Sequence, residues 1–563
     1  MRALSRLLNP CSRRVVAAAV LSVVALSCAD RQPTAEIVLF NGKVFTADPA
    51  RPVVEAIAIR GDRILAVGTN AEVDELAAAA TRRIDLAGHV AIPGINDAHT
   101  HFVAYPAGAH VLPPFSEIDP PWSEVQPTIA AAVRQIPEGT VIRGTVGIRV
   151  IADPTATRFA LDTIAPNHPV ILSTFFGHGD LLNSRMMREL AVGETDPDPP
   201  GGFYDRVQGS NRLNGKIFEY AQWRLWRRLA DRADRKQLIA QLRGFSDQAV
   251  RFGITSIQSL PSLSAEMFVN LLTEASLPLQ MRVIQFPVTN EKGRSAAEGA
   301  DLSKQLGRSD RITVSGVKWI LDGTPLERGM AIRGEYTDRP GWSGRTNFPP
   351  GEIASIVRES VERDEPLLLH AVGDRTAAIV FDAMDAMKQV DWTTRRLRIE
   401  HGDGVVRDLV PRAARHGVIV VQNPTHFALA PIIQARFGPN VGFLRLRSLH
   451  DAGVRIALGS DALGSGAELN PYLNIMLASL HPTVPAEAIS REMAVEAYTR
   501  NAAYAEFKEQ EKGTLGRGKL ADIAVLSQDI FTVPPTALPA TESILTMIGG
   551  RVVYDAGKLP GSR

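Results

Sequence analysis

The chain has 563 residues, of which 45% are hydrophobic and 22% charged, and its formal net charge is +1. This composition supplies a large core and gives no electrostatic reason to expect nucleic acid or a polyanion as partner. With only two cysteines, a disulfide-stapled fold is excluded, so stability has to come from the core or from bound metal.

The first 28 residues read as an export signal. Arg2, Arg6, Arg13 and Arg14 precede a run over 15–26 that is apolar apart from Ser22. Such a run is too short to span a bilayer but suits the h-region of a signal peptide. Cys28 follows in Ala25-Leu26-Ser27-Cys28. This resembles a bacterial lipobox, although alanine stands where leucine is usual three residues before the cysteine. The expectation is therefore an exported, periplasmic or envelope protein anchored to the membrane by a lipid on Cys28, with ordinary cleavage nearby as the alternative.

After a polar tether, residues 35–92 read as short strands. Ile37-Val38-Leu39-Phe40 runs into Asn41-Gly42, a hairpin signal, and Ala56-Ile57-Ala58-Ile59 into Arg60-Gly61-Asp62. Residues 512–563 have the same texture, with Ile523-Ala524-Val525-Leu526 and Ile548-Gly549-Gly550-Arg551. Isolated hairpins are marginal alone, so one small β-sandwich built from both chain ends is expected.

Between them, over 93–511, apolar β-branched runs alternate with amphipathic stretches. The strand candidates are 90–95, 253–257, 280–286, 312–320, 366–369, 397–399, 418–421 and 454–458, with helices at 351–363 and 375–387 among the intervening segments. Eight such strands predict an α/β fold, a (β/α)8 TIM-type barrel. The stretch after the first strand is far longer than the roughly 30 residues of one βα unit. An inserted subdomain at about 108–235 is therefore expected, on the face where barrels carry their active sites.

The chemistry gathers at strand ends. His99 and His101, in Asp97-Ala98-His99-Thr100-His101, alternate on an extended strand, so both imidazoles can reach one metal. Such a pair alone also fits two solvent-exposed histidines. Lys318 sits inside an apolar strand, where an ammonium is costly unless it has a partner or a purpose. His370 ends Leu367-Leu368-Leu369-His370, His401 ends Ile399-Glu400-His401, and Asp461 ends Leu458-Gly459-Ser460-Asp461. The steps from Lys318 onward, roughly 50, 30 and 60 residues, fit strands 4, 5, 6 and 8 at one βα unit per 30–40 residues. His178, in Phe176-Gly177-His178-Gly179-Asp180, and His426, in Asn423-Pro424-Thr425-His426, are further candidates. His178 could reach substrate or be structural; His426 could donate to a substrate carbonyl.

These motifs, together with Pro199-Pro200-Gly201-Gly202, Asp322-Gly323, His370-Ala371-Val372-Gly373-Asp374-Arg375, Gly459-Ser460-Asp461-Ala462 and Gly518-Lys519-Leu520-Ala521-Asp522, resemble the amidohydrolase superfamily, and within it the YtcJ-like amidohydrolase family 3. The resemblance covers nearly the whole chain past the signal. It implies one or two divalent metals, commonly zinc. His99, His101 and Asp461 would hold one, His370 and His401 the second, and Lys318 would bridge them as a carbamate. Two cations would bring the pKa of a shared water to about 7. Asp461 would take its proton and pass it to the leaving nitrogen. The expected activity is hydrolysis of a non-peptide C–N bond in an amide, N-acyl, N-formyl or cyclic amide substrate. Ester or lactone hydrolysis at the same site is the alternative, and a non-catalytic exported metal-binding lipoprotein the reading of another class. Expected partners are a small-molecule substrate, the membrane through the lipid, and a second copy of the chain if it forms a homo-oligomer.

Overall fold

The computed structural model describes residues 34–290, 293–294, 311–439, 442–464 and 466–561. The expected export segment and Cys28 lie outside these residues. No helix among the described residues is long and apolar enough to cross a membrane.

Eight parallel strands form one sheet: β1 (Ile95–Phe102), β2 (Ile254–Pro261), β3 (Gln280–Gln285), β4 (Ile312–Ile320), β5 (Leu367–His370), β6 (Arg398–Glu400), β7 (Ile419–Gln422) and β8 (Arg455–Leu458). Each pairs with its neighbours in chain order. The two edges meet just beyond β8, where Asp461 N–H donates to His99 O and His101 N–H to Ala462 O, both at 2.8 Å. The fold is thus a TIM-type barrel. Nearly all strand residues are buried on both faces, which explains why the strands read as continuous apolar runs rather than alternating ones.

The first strand differs from the expectation of 90–95. Val90–Pro93 belongs to a sheet of the terminal β domain, and the barrel strand starts at Ile95. Gly94 is the crossing point: its N–H donates to Asp522 O at 2.8 Å, while Ile95 N–H donates to Gly253 O at 3.0 Å. One apolar run therefore serves two sheets, and His99 and His101 lie within β1 rather than past its end.

The β domain is a sandwich. A four-stranded sheet comes from the N-terminal part alone, and a six-stranded sheet combines Lys43–Phe45, Val53–Val54 and Val90–Pro93 with Ile523–Leu526, Ser543–Ile548 and Arg551–Asp555. Ile57, Ile84, Val44, Ile523 and Met547 fill the space between them. Asn41-Gly42 does not make a hairpin. Ala35–Phe40 and Lys43–Phe45 lie in different sheets, and Asn41, at φ 58°, turns the chain from one to the other. A β-carbon on Gly42 would meet Leu86 Cδ1 at 2.4 Å, so the glycine is needed for close packing at the switch.

After β1 the chain builds a separate six-stranded sheet from His110–Val111 to Leu213–Glu219, with its own core around Trp122, Ile129, Leu161 and Leu172. That sheet ends at Glu219. The following helix, Tyr220–Ala230, buries Tyr220, Trp223 and Trp226 in the main core.

Candidate metal centre

The structure brings His99, His101, Lys318, His370, His401 and Asp461 to the C-terminal mouth of the barrel. Ligand atoms of His99, His401 and Asp461 lie within 4.8 Å of one another. Asp461 Oδ1 is 3.4 Å from His99 Nε2 and 3.2 Å from His101 Nε2. Lys318 Nζ is 2.9 Å from His99 Nε2. The His370 ring lies 4.5 Å from that of His401.

The imidazoles are oriented from behind. His99 Nδ1 donates to Glu400 Oε2 at 2.5 Å, His101 Nδ1 to Leu260 O at 3.0 Å, and His401 Nδ1 to Asn423 Oδ1 at 2.8 Å. A hydrogen on each Nδ1 leaves Nε2 as the bare nitrogen. His99 and His101 then face each other Nε2 to Nε2 at 3.3 Å, an arrangement of two lone pairs that a cation would satisfy. His370 Nε2 is buried with no hydrogen-bond partner. These donors fit a borderline dication of the zinc type.

Electrostatics divides the histidines into two groups. Burial lowers His99 to about 4, and it lowers His101, His370 and His401 as well. All four are thus kept neutral, as metal ligation requires. His426 and His178 go the other way. Burial opposes their charge, but Asp461 beside His426 and Glu219 beside His178 outweigh it and raise both. His426 Nε2 is 3.3 Å from Asp461 Oδ2, and His178 Nδ1 is 2.9 Å from Glu219 Oε1. Burial lowers Lys318 to about 8, which leaves a useful fraction of free amine near neutral pH.

Two members of the centre stand in left-handed backbone, His401 at φ 66° and Asp461 at φ 55°. Non-glycine residues in this region cluster at functional sites. At Asp461 the bond from its N–H to His99 O holds the conformation.

Sequence reasoning missed the support beneath these ligands. Arg398 grips Glu400 with Nε to Oε1 at 2.7 Å and Nη2 to Oε2 at 2.9 Å, and neither residue exceeds 1% exposure. The available signal was two charges at i, i+2 in the apolar strand Leu397-Arg398-Ile399-Glu400. Asp97 was missed as well. Its Oδ1 accepts from His99 N–H at 3.1 Å and Ser460 N–H at 2.9 Å, tying β1 to the loop that carries Asp461.

A parallel barrel with a buried histidine–aspartate–lysine cluster at its C-terminal mouth carries that cluster where barrel enzymes build their active sites. Residues 82–554 match the amidohydrolase family, and the chain belongs to it. An N-substituted formamide deformylase from Arthrobacter pascens is 27% identical over 92% of this chain and 98% of its own. The putative amidohydrolase YtcJ of Bacillus subtilis is 23% identical over 84% and 91%. Among solved structures, a metal-dependent hydrolase from Pyrococcus furiosus covers 88% of this chain and 100% of its own with a TM-score of 0.63 and 22% identity.

Proposed function

We propose that this chain is an exported, metal-dependent hydrolase of non-peptide C–N bonds in amide, N-acyl, N-formyl or cyclic amide substrates. The observation that carries the reading is the convergence of neutral, rear-oriented imidazoles on Asp461 and Lys318 in one buried pocket. Full-length similarity to an N-substituted formamide deformylase supports an amide-type substrate.

In this reading His99, His101 and Asp461 would hold one divalent ion, zinc by the chemistry of the set, and His370 and His401 would hold a second. When bound, such ions supply Lewis acidity and make hydroxide available near neutral pH. Lys318 adds carbon dioxide through its free amine, releasing a proton, and its carbamate then presents anionic oxygen in place of a buried ammonium. Asp461 takes the proton of the attacking water and returns it to the leaving nitrogen. His426 steadies Asp461 Oδ2 and offers a protonated ring to the substrate carbonyl, and His178 stands on the insertion side of the pocket.

The test is turnover of N-substituted formamides, N-acyl amino acids, cyclic amides and lactones by zinc-loaded protein. Amide hydrolysis, lost on chelation and restored by zinc, is the expected result. Activity confined to lactones, or unaffected by chelation, would reject the reading. Export and anchoring through Cys28 are tested separately: lipid-precursor labelling should disappear in Cys28→Ala, and persistent labelling would refute that assignment.

A further inference from the structure

A second set of ligand-bearing side chains lies beside the centre just described. His178 sits in the turn before the insertion strand Gly179–Leu182, Glu219 ends the insertion strand Leu213–Glu219, and Glu327 lies in the loop after β4. One ligand atom from each lies within 4.8 Å of the other two. Three segments far apart in the chain thus deliver one imidazole and two carboxylates to the same point.

His178 is the ion-pair partner of Glu219, and among the described residues neither carboxylate has an arginine or lysine within ion-pair distance. Arg345 acts on both only as a more distant charge. Their other partners are neutral: Asn347 Nδ2 donates to Glu219 Oε2 at 2.8 Å, and the Thr324 amide and hydroxyl donate to Glu327. Two carboxylates around one imidazole leave excess negative charge in a buried place, which is costly without a further proton or cation.

The Nε2 of His370, a residue only 2% exposed, has no hydrogen-bond partner. It faces the loop that leads to Glu327, at 3.9 Å from Asp322 Oδ1, and the His370 ring is 4.9 Å from that of His178. The next residue in that loop is Gly323. A β-carbon there would meet Glu327 Oε1 at 2.3 Å and Glu219 Oε1 at 3.0 Å, so the glycine leaves the space in which the two carboxylates approach.

We infer that His178, Glu219 and Glu327 form an additional divalent-cation site. One imidazole and two carboxylates suit a borderline dication such as zinc or manganese. Binding replaces the hydrogen between His178 Nδ1 and Glu219, so that proton is released. A bound ion would tie the insertion to the β4 loop. The inference goes beyond the proposed hydrolytic centre: His178, Glu219 and Glu327 are not among the ligands assigned there, although His370 of that centre borders them.

The test counts zinc on the full-length protein equilibrated with micromolar free Zn2+, by elemental mass spectrometry, alongside the zinc-induced rise in melting temperature. Glu327→Gln and Glu219→Gln should each bind one equivalent less than the unaltered chain and show a smaller rise. Glu327→Asp should retain the equivalent with weaker binding, and Asp461→Asn, which alters the other centre, should keep it. Circular dichroism checks that each variant is folded. Wild-type stoichiometry in both glutamine variants would overturn the site and leave a proton shared between the two carboxylates as its explanation.

Discussion

Glu400 holds His99 by the ring nitrogen that faces away from the centre, Nδ1 to Oε2 at 2.5 Å, while Arg398 clamps the same carboxylate through two further bonds. Burial works against an ionised Glu400, but Arg398 outweighs it and holds the carboxyl far below the usual range. The ion pair thus serves as a fixed acceptor that sets both tautomer and tilt of His99. Outer partners of this kind are worth 10- to 100-fold in metal affinity. Glu400→Gln should therefore weaken zinc binding by about 10- to 100-fold, read by competition with a chromophoric chelator. Arg398 would keep its bonds to Gln258 and Ala98, so the fold should persist. Unchanged affinity would mean that Glu400 serves only to neutralise Arg398.

Asp461 divides its oxygens, Oδ1 towards His99 and His101 and Oδ2 towards His426. Asparagine keeps the shape and one acceptor but cannot take a proton. Asp461→Asn should reduce kcat by roughly 10²- to 10⁴-fold, the span of general acid–base catalysis, while zinc remains largely bound. A variant that turns over normally would assign the proton transfer elsewhere.

Much of the barrel was legible because its strands are buried apolar runs, and where a run ends in a polar ligand type, as in Leu369-His370 and Glu400-His401, it announces both the strand and where it stops; His99, His101 and Lys318 instead lie inside β1 and β4. What stayed hidden depends on tertiary contact. That Glu219 and Glu327 meet His178 follows from how the insertion folds back, which no local spacing encodes. Asn41-Gly42 carries a hairpin signal, yet the chain switches sheets there, with Leu86 packed against Gly42. The run 90–95 contains nothing that marks a change of sheet except Gly94.

Gly94 yields a stability prediction. A β-carbon at this position would lie 2.3 Å from Thr255 Oγ1, 2.4 Å from its Cγ2 and 2.8 Å from its Cβ. Thr255 is on β2 and is itself 1% exposed, so neither side can retreat. Gly94→Ala should cost about 1–3 kcal/mol, the usual range for overpacking, seen as a lower denaturation midpoint. Thr255→Ala in the same chain should recover part of the loss, and a single variant as stable as wild type would show that the crossing is loosely packed.

Asp180, two residues beyond His178, gives the fold a pH dependence of its own. It is fully buried, and its oxygens accept from Gln222 Nε2 and Trp226 Nε1, both at 2.9 Å. Burial raises its carboxyl from 3.8 to about 7. Between these values the folded chain retains a proton that the unfolded chain has released. Its contribution to stability is therefore complete below about pH 4 and is lost as the pH rises through about 7. Asp180→Asn abolishes this titration, although its amide must face one of the two donors, so the variant starts with a deficit. Melting temperatures of the two proteins from pH 5 to pH 8.5 should show wild type losing ground to the variant as the pH rises. A gap that does not change with pH would mean that Asp180 is already ionised in the folded chain.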